Sequence, residues 1–459
     1  MFSTTVNVAV RSELGRSRER PPSWRRGLAL ALAILTSALA SARAEAAPLS
    51  MQRALEIGRS RSPEIHGATF DADAQRAQVR VARAGYYPSI KGNLTGQYQI
   101  TSTEQALPPP TNGSTSTMQR SVAGLGSIGA NWVAYDFGRT SAAVRAADSQ
   151  LEAAHNALAT AVLSFDATVA NSFLGAVYAA KIRLVADATL KQRTAIAKIA
   201  AALVRAGLQP PVEELRRAAR VELAKQDLAL AEAAAIDTRL ALAGLLEVED
   251  HEVRELLEPS FATAPLRMRT LTNVSDLPVV RGADAAADAR AALSDVADAQ
   301  YLPSLSLFVN AVGSITRNDT APDNTRLANV VGGMQVSMAI FDPGIAPTAA
   351  RAREQERAAR AFAARTRRDA RSEASRAFAA CIAAHEVLSH ARDSHHALAS
   401  VYRLVEARYE TGLSTPIELV EAETAENLAR LFSVQTELLY ALAVIRVYVA
   451  NNQSVEDLT

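Results

Sequence analysis

Four histidines crowd one stretch and raise metal chemistry first. His385-Glu386 and His390 set two imidazoles beside a carboxylate, and His395-His396 follow. Hydrolytic zinc held on a helix needs its histidines at i and i+4. Here the spacing is five, which turns the two rings roughly 140° apart on a helix. No glycine-rich phosphate loop, no Cys/His pair with a base and no serine at a strand-to-helix elbow accompany them. The chain is therefore expected to be no enzyme and to hold neither metal nor cofactor. A second acidic constellation is Glu418, Glu421 and Glu423. Glu418 and Glu421, three apart, share one helix face, and carboxylates also suit a helix N-terminus. An ordinary solvated face fits them as well. Asp284, Asp288, Asp295 and Asp298 are interleaved with Ala and read as a solvated helix face.

The elements that position these residues occur twice. Tyr86-Tyr87-Pro88-Ser89-Ile90 returns as Tyr301-Leu302-Pro303-Ser304-Leu305, and Tyr135-Asp136-Phe137-Gly138 as Phe341-Asp342-Pro343-Gly344. Gly207-Leu208-Gln209-Pro210-Pro211-Val212-Glu213 returns as Gly412-Leu413-Ser414-Thr415-Pro416-Ile417-Glu418. The offsets are 215, 206 and 205 residues, so a structural unit is duplicated. The expected organisation is a leader (1–46), a first repeat (47–246), a junction (247–281), a second repeat (282–450) and a tail (451–459). Each repeat reads as a helix, a β-hairpin (89–136 or 304–341) and a long helical hairpin. The hairpin tips fall near 207–212 and 412–417. The long stretches, Arg139 to Ala206 and Ala346 to Thr411, lack helix breakers and predict helices roughly 100 Å long. Each stops at Gly-Leu, a natural helix end.

The start of the chain is basic, then apolar from Gly27 to Ala40, then small at Ala42, Ala44 and Ala46. That order predicts a secretory signal peptide with a basic extension. Cys381 is the only cysteine, so no internal disulfide is expected. Of 49 basic and 48 acidic residues, seven Arg and three Glu precede residue 47, leaving a net charge of −3. That balance gives nucleic-acid binding no support. Aromatics are only 5 % of an Ala-rich chain, which favours close-packed long helices over a bulky core.

Strand sequence alternates with period two. Ile90, Gly92, Leu94, Gly96, Tyr98 and Ile100 face one side, and Ser89, Lys91, Asn93, Thr95, Gln97 and Gln99 the other. Ile128, Ala130, Trp132 and Ala134 form a second run; Leu305, Leu307 and Val309 a third; Met334, Val336, Met338 and Ile340 a fourth. Polar loops are expected at 101–120 and about 316–327. Strands of about 10–12 residues cross an outer membrane at a tilt. Alternation by itself fits a half-buried soluble sheet equally. Four strands cannot close a barrel in lipid, because open edges leave backbone groups unpaired. Three protomers would supply twelve strands and two only eight, with an apolar outer face and a polar inner face.

Taken in order, the doubled motifs give the chain its resemblance. Gly85–Ser89 and Gln300–Ser304 lead into strands, Tyr135–Gly138 and Phe341–Gly344 lead out, and the Gly-Leu tips repeat. In this the chain resembles the TolC family of outer-membrane efflux proteins over essentially all of the sequence after the leader. The resemblance implies a mainly α fold with a transmembrane β part. Its parts are a long α-helical barrel and four strands per protomer, shared in a trimeric 12-stranded β-barrel. It implies an exit duct in the outer membrane of a Gram-negative bacterium, reaching into the periplasm. The duct would serve a tripartite efflux pump or a type I secretion system. Its partners would be a homotrimer, a periplasmic adaptor, an inner-membrane transporter and outer-membrane lipid. The resemblance assigns the adaptor contact to Gly207, Leu208, Gly412, Leu413, Ser414 and Thr415. Gln209-Pro210 depart from the small hydroxyl residues usual at a tip, and Gly and Pro also simply turn a chain. Glu418 and Glu421 match the acidic positions of the family's closed aperture. In a trimer they would stack two rings of three carboxylates that attract cations. The alternative is a periplasmic coiled-coil adaptor or scaffold, which would not need the paired strands.

Overall fold

The structure, a computed structural model, describes residues 48–106, 114–259, 274–318 and 321–453. The expected leader and the last residues of the tail lie outside them. The helices are α1 (Met51–Arg61), α2 (Pro63–Arg83), α3 (Arg139–Arg205), α4 (Pro211–Leu246), α5 (Pro278–Asp298), α6 (Ile345–Glu410) and α7 (Pro416–Ala450). The strands are β1 (Ser89–Ala106), β2 (Ser114–Tyr135), β3 (Ser304–Asn318) and β4 (Ala321–Ser337). Alanine-rich sequence makes α3 and α6 run 67 and 66 residues. At 1.5 Å per residue each spans roughly 100 Å.

Two helical hairpins, α3–α4 and α6–α7, lie side by side, joined where α3 meets α7. At the sheet end, α2 packs on α3, and α5 fills the place between α3 and α6. The first-repeat helix is broken where Ser62 accepts from the Ile65 N–H and Pro63 opens α2. Helix α5 begins at Pro278, four residues inside the expected junction. Three of the four α5 aspartates are also paired, while Asp288 is exposed as expected of a solvated face. Asp295 meets Arg145 of α3 at 2.9 Å, while Asp298 and Asp284 meet Arg353 and Arg367 of α6 at 2.9 and 2.8 Å.

The main core sits at the waist. Leu49, Met51 and Leu55 meet Phe165, Val169, Phe173, Leu242, Leu246, Val253 and Ile445 there. The junction closes this core through a short parallel bridge, with the Leu49 N–H donating to Glu255 O at 2.7 Å. Asp166, 1 % exposed, takes two hydrogen bonds from Arg59 at 2.8 and 2.6 Å. A buried carboxylate needs such a bidentate partner.

The sheet is a four-stranded antiparallel meander, β1-β2-β3-β4. Its strands are 15–22 residues long, not the expected 10–12. The stretches expected as loops are mostly paired backbone: Thr101 pairs with Gln119, Thr103 with Thr117 and Thr316 with Thr325. Their sequence lacks alternation, yet Thr and Ser accept extended pairing. The last strand stops at Ser337, so Met338 and Ile340 fall outside it.

Candidate functional site

The ladder register decides what the sheet can do. Ile90 pairs with Ala130, which pairs with Val309; Gly92 pairs with Ile128, which pairs with Ala311. Leu307 pairs with Met334 and Ala311 with Val330. Four separate alternating patterns therefore superpose on one apolar face. A one-residue slip in any strand would break this. From the Ile90 row to the Ile100 row is ten residues of β1. At about 3.3 Å per residue and a tilt of about 40°, the belt is roughly 25 Å tall, the height of a hydrocarbon core. At its lower edge stand Tyr86, Tyr87, Trp132, Tyr135 and Phe137, all exposed. Trp132 Nε1 donates to Tyr86 O at 2.9 Å, and Tyr135 and Phe137 pack edge to face. Such a girdle marks a membrane interface. The opposite face carries Ser89, Lys91, Asn93, Gln97, Asn131 and Asn310, but also Leu125, Phe308, Val312 and Leu327. It is therefore less purely polar than the alternation predicts.

The turns that leave the sheet are built by their aspartates. Asp136 Oδ2 accepts from the Thr140 N–H at 2.8 Å and from the Thr140 hydroxyl, capping α3. Asp342 Oδ1 accepts from the Gly344 N–H at 2.8 Å in the second copy. Phe137 and Gly138 both take positive φ (52° and 90°) to turn the chain between β2 and α3.

At the far end, both Gly-Leu tips close in the same way. Gly207 and Gly412 take φ of 72° and 74°, where a Cβ is disfavoured. The Leu208 N–H donates to Leu203 O at 2.9 Å and Leu413 N–H to Arg408 O at 2.8 Å; the two glycine N–H groups donate to Val204 O and Tyr409 O at 3.0 Å. This paired bonding satisfies the last carbonyls of α3 and α6. Leu208 and Leu413 remain 72 % and 71 % exposed, and Leu215 and Ile417 beside them are exposed too. Each tip thus offers apolar side chains on a fixed turn.

The second tip is capped by hydroxyls. Thr415 Oγ1 accepts from the Glu418 N–H at 3.2 Å, and Ser414 Oγ donates to Glu418 Oε2 at 2.5 Å. The Ser414 hydrogen bond, helped by Thr415 and Arg408, holds the Glu418 carboxyl below its ordinary value. Glu418 and Glu421 are both exposed on α7. The third carboxylate of the run behaves differently. Glu423, 1 % exposed, meets Arg193 of α3 at 3.0 Å and Arg217 of α4 at 3.8 Å. Arg217 also donates to Pro416 O at 3.1 Å, and Gln209 Nε2 to the Tyr409 hydroxyl at 2.9 Å. Burial, with Arg217 and Arg193 nearby, pushes Arg220 down despite Glu423. These contacts tie the first tip to the second. Sequence reading missed them, although the signal exists. At the offset of 205, Arg217 falls on Ala422 and Glu423 on Ala218, so the copies diverge in charge where they touch.

The histidines do not gather. His385 packs on the Tyr440 ring, and His395 Nε2 lies 3.5 Å from Glu426, which also binds Arg430. Among the described residues no group of three His, Cys, Asp or Glu is placed to hold a metal.

Known proteins share this arrangement. Protein CyaE of Bordetella pertussis is 29 % identical over 290 residues, 59 % of this chain and 56 % of that protein. The match thus spans little more than half the length of that curated relative. The open state of the MtrE outer membrane channel of Neisseria gonorrhoeae has the same fold. Its TM-score is 0.70 at 22 % identity, over 88 % of this chain and 89 % of that one. The outer membrane protein VceC of Vibrio cholerae superposes with a TM-score of 0.72 at 17 % identity, over 88 % and 96 %. The family described as outer membrane efflux protein matches residues 54–247 and 276–453, the two repeats in turn. The chain belongs to the outer membrane efflux protein family.

Proposed function

We propose that the chain is one third of an outer-membrane exit duct, a passive conduit of a tripartite efflux pump or a type I secretion system. The observation that carries this reading is the single apolar face shared by all four strands, with β1 and β4 left as edges above helices about 100 Å long. Each unpaired backbone group in lipid costs several kcal/mol, so the edges need partner strands. Three copies, β4 of one beside β1 of the next, close twelve strands around a water-filled lumen. The hairpins of three copies extend that lumen as a helical barrel across the periplasm. No nucleic acid takes part.

At the periplasmic end, Gly207, Leu208, Gly412, Leu413, Ser414 and Thr415 present the surface for a periplasmic adaptor, which links the duct to an inner-membrane transporter. The exposed Leu208 and Leu413 supply the apolar contact. Glu418 and Glu421 of three copies ring the aperture. Their crowded charge favours cations and resists anions. An adaptor or scaffold would have no use for a sheet whose four strands share one lipid-facing side.

The test is the mass of the protein extracted from outer membranes in mild detergent, followed by conductance in planar bilayers. A cation-preferring trimer is expected. A soluble monomer would refute the duct.

A further inference from the structure

One charged cluster on the sheet is used by nothing described so far. Arg120, Arg317 and Arg326, all exposed, stand on the apolar face, on β2, β3 and β4. Arg120 pairs with Ile100. Arg317 pairs with Val122, two residues further down β2. Arg326 pairs with Ile315, two residues further down β3. They therefore descend two residues per strand.

That diagonal is the horizontal of the barrel. Ser89 and Ser304 are equivalent in the two repeats, so rotation about the barrel axis puts them at one height. Ser89 pairs with Asn131 and Asn131 with Phe308, so Ser304 lies four residues lower, two strands over. Equal height thus falls two residues per strand. The three arginines form one level row at the upper limit of the apolar belt, at the opposite end from Trp132 and the aromatic girdle. Among the described residues, no carboxylate stands on this face at or below the row. Glu104 of β1 pairs with Ser116, above it.

Lower on the same face lies a trough of about 550 Å³, lined by Gly92, Leu94, Gly126, Ile128, Gly313 and Val330, which comes up to the row at Ala328, two residues from Arg326. None of its glycines has positive φ. A Cβ on Gly126 would meet only Leu94 at 3.7 Å, and one on the neighbouring Gly124 would meet nothing within 4 Å. Neither backbone conformation nor packing within the chain requires glycine there, although glycine weakens a strand interior. Glycine in a strand also marks where something approaches closely.

We propose that this face binds a phosphorylated acyl-saccharide lipid of the outer leaflet. The arginine row takes the phosphates and the glycine trough takes an acyl chain. Guanidinium groups bind phosphate in bidentate fashion, and their stems reach the interface along apolar surface. Three arginines in one row suit a headgroup with two separated phosphates better than a single phosphodiester. The inference rests on the sheet lying in the outer membrane.

The test uses the full-length protein extracted from outer membranes, stripped of lipid and titrated in detergent by native mass spectrometry. The probes are diphosphorylated lipid A, its dephosphorylated form and phosphatidylglycerol. The diphosphorylated lipid should bind at least tenfold tighter than either other probe. Arg120→Gln/Arg317→Gln/Arg326→Gln should remove that preference, and Gly126→Leu should weaken binding with the arginines intact. Equal binding of phosphatidylglycerol, or full binding by the triple variant, would overturn the site. Trimer mass and conductance, measured on the same samples, separate the two failures. A conducting trimer without lipid preference sinks only the lipid site, whereas a wild type that forms no trimer sinks the membrane reading and the site with it.

Discussion

At the scale of single residues, three glutamates of one helical turn and a half meet three fates. Glu418 is exposed and hydrogen-bonded by its own tip, Glu421 is exposed, and Glu423 is buried among arginines. Composition and spacing place all three on α7 but say nothing of α3 and α4, which bring Arg193 and Arg217 to Glu423 alone. A buried carboxylate stripped of such partners would be costly, so its neighbours decide its role. For Glu418 the neighbours act on proton affinity. The Ser414 hydroxyl favours the charged form, so the folded carboxyl titrates below its unfolded value. The stability this adds is present above the unfolded value and is lost as pH falls through the folded one. Ser414→Ala removes the leading cause and should move the titration upward. If Glu418 lines the aperture, the acid-side midpoint of cation conductance should rise in Ser414→Ala and vanish in Glu418→Gln. An unchanged midpoint in both would place Glu418 away from the pore.

At the scale of elements, the helix ends were the most legible parts of the sequence. Gly-Leu twice in register predicts two helix stops, and the structure gives both the same left-handed glycine and the same pair of hydrogen bonds. Gly412→Ala keeps the volume small but forces a Cβ into that conformation, at a cost of about 1–2 kcal/mol. Asn tolerates the same backbone better. The apparent melting temperature should fall for Gly412→Ala and fall less for Gly412→Asn. A Cβ there meets nothing within 4 Å, so equal effects would refute the left-handed backbone as the reason for glycine. The strands were half legible. Where one face meets lipid and the other water, alternation is plain, as from Ile90 to Ile100. Past Thr101 both faces belong outside the apolar belt, so no period-two signal remains, and Thr101–Thr103 reads as loop although it pairs with Thr117–Gln119. The contact of Arg217 with Glu423 was illegible for another reason. It joins helices 206 residues apart in sequence, and only the break in the repeat hints at it.

At the scale of the whole molecule, everything turns on the sheet edges. Within one chain, β1 and β4 each bond to one neighbour and leave alternate N–H and C=O groups pointing outward. The consecutive residues Asn93 and Leu94 of β1 sample both kinds of N–H, because in an antiparallel ladder one points to β2 and the next points away. Proline removes the N–H and is tolerated at an edge only where that group faces outward. In an isolated four-stranded sheet, then, one of Asn93→Pro and Leu94→Pro should damage the fold and the other should be nearly silent. In a closed barrel neither N–H is free, and each variant breaks a ladder bond, one within the protomer and one between protomers. Assembly of the trimer, measured by mass in mild detergent, should therefore fail or weaken in both variants. The circular dichroism of the strands should suffer chiefly in the variant that faces β2. If one variant assembles as well as the wild type, β1 is a free edge and the four strands do not join those of another copy.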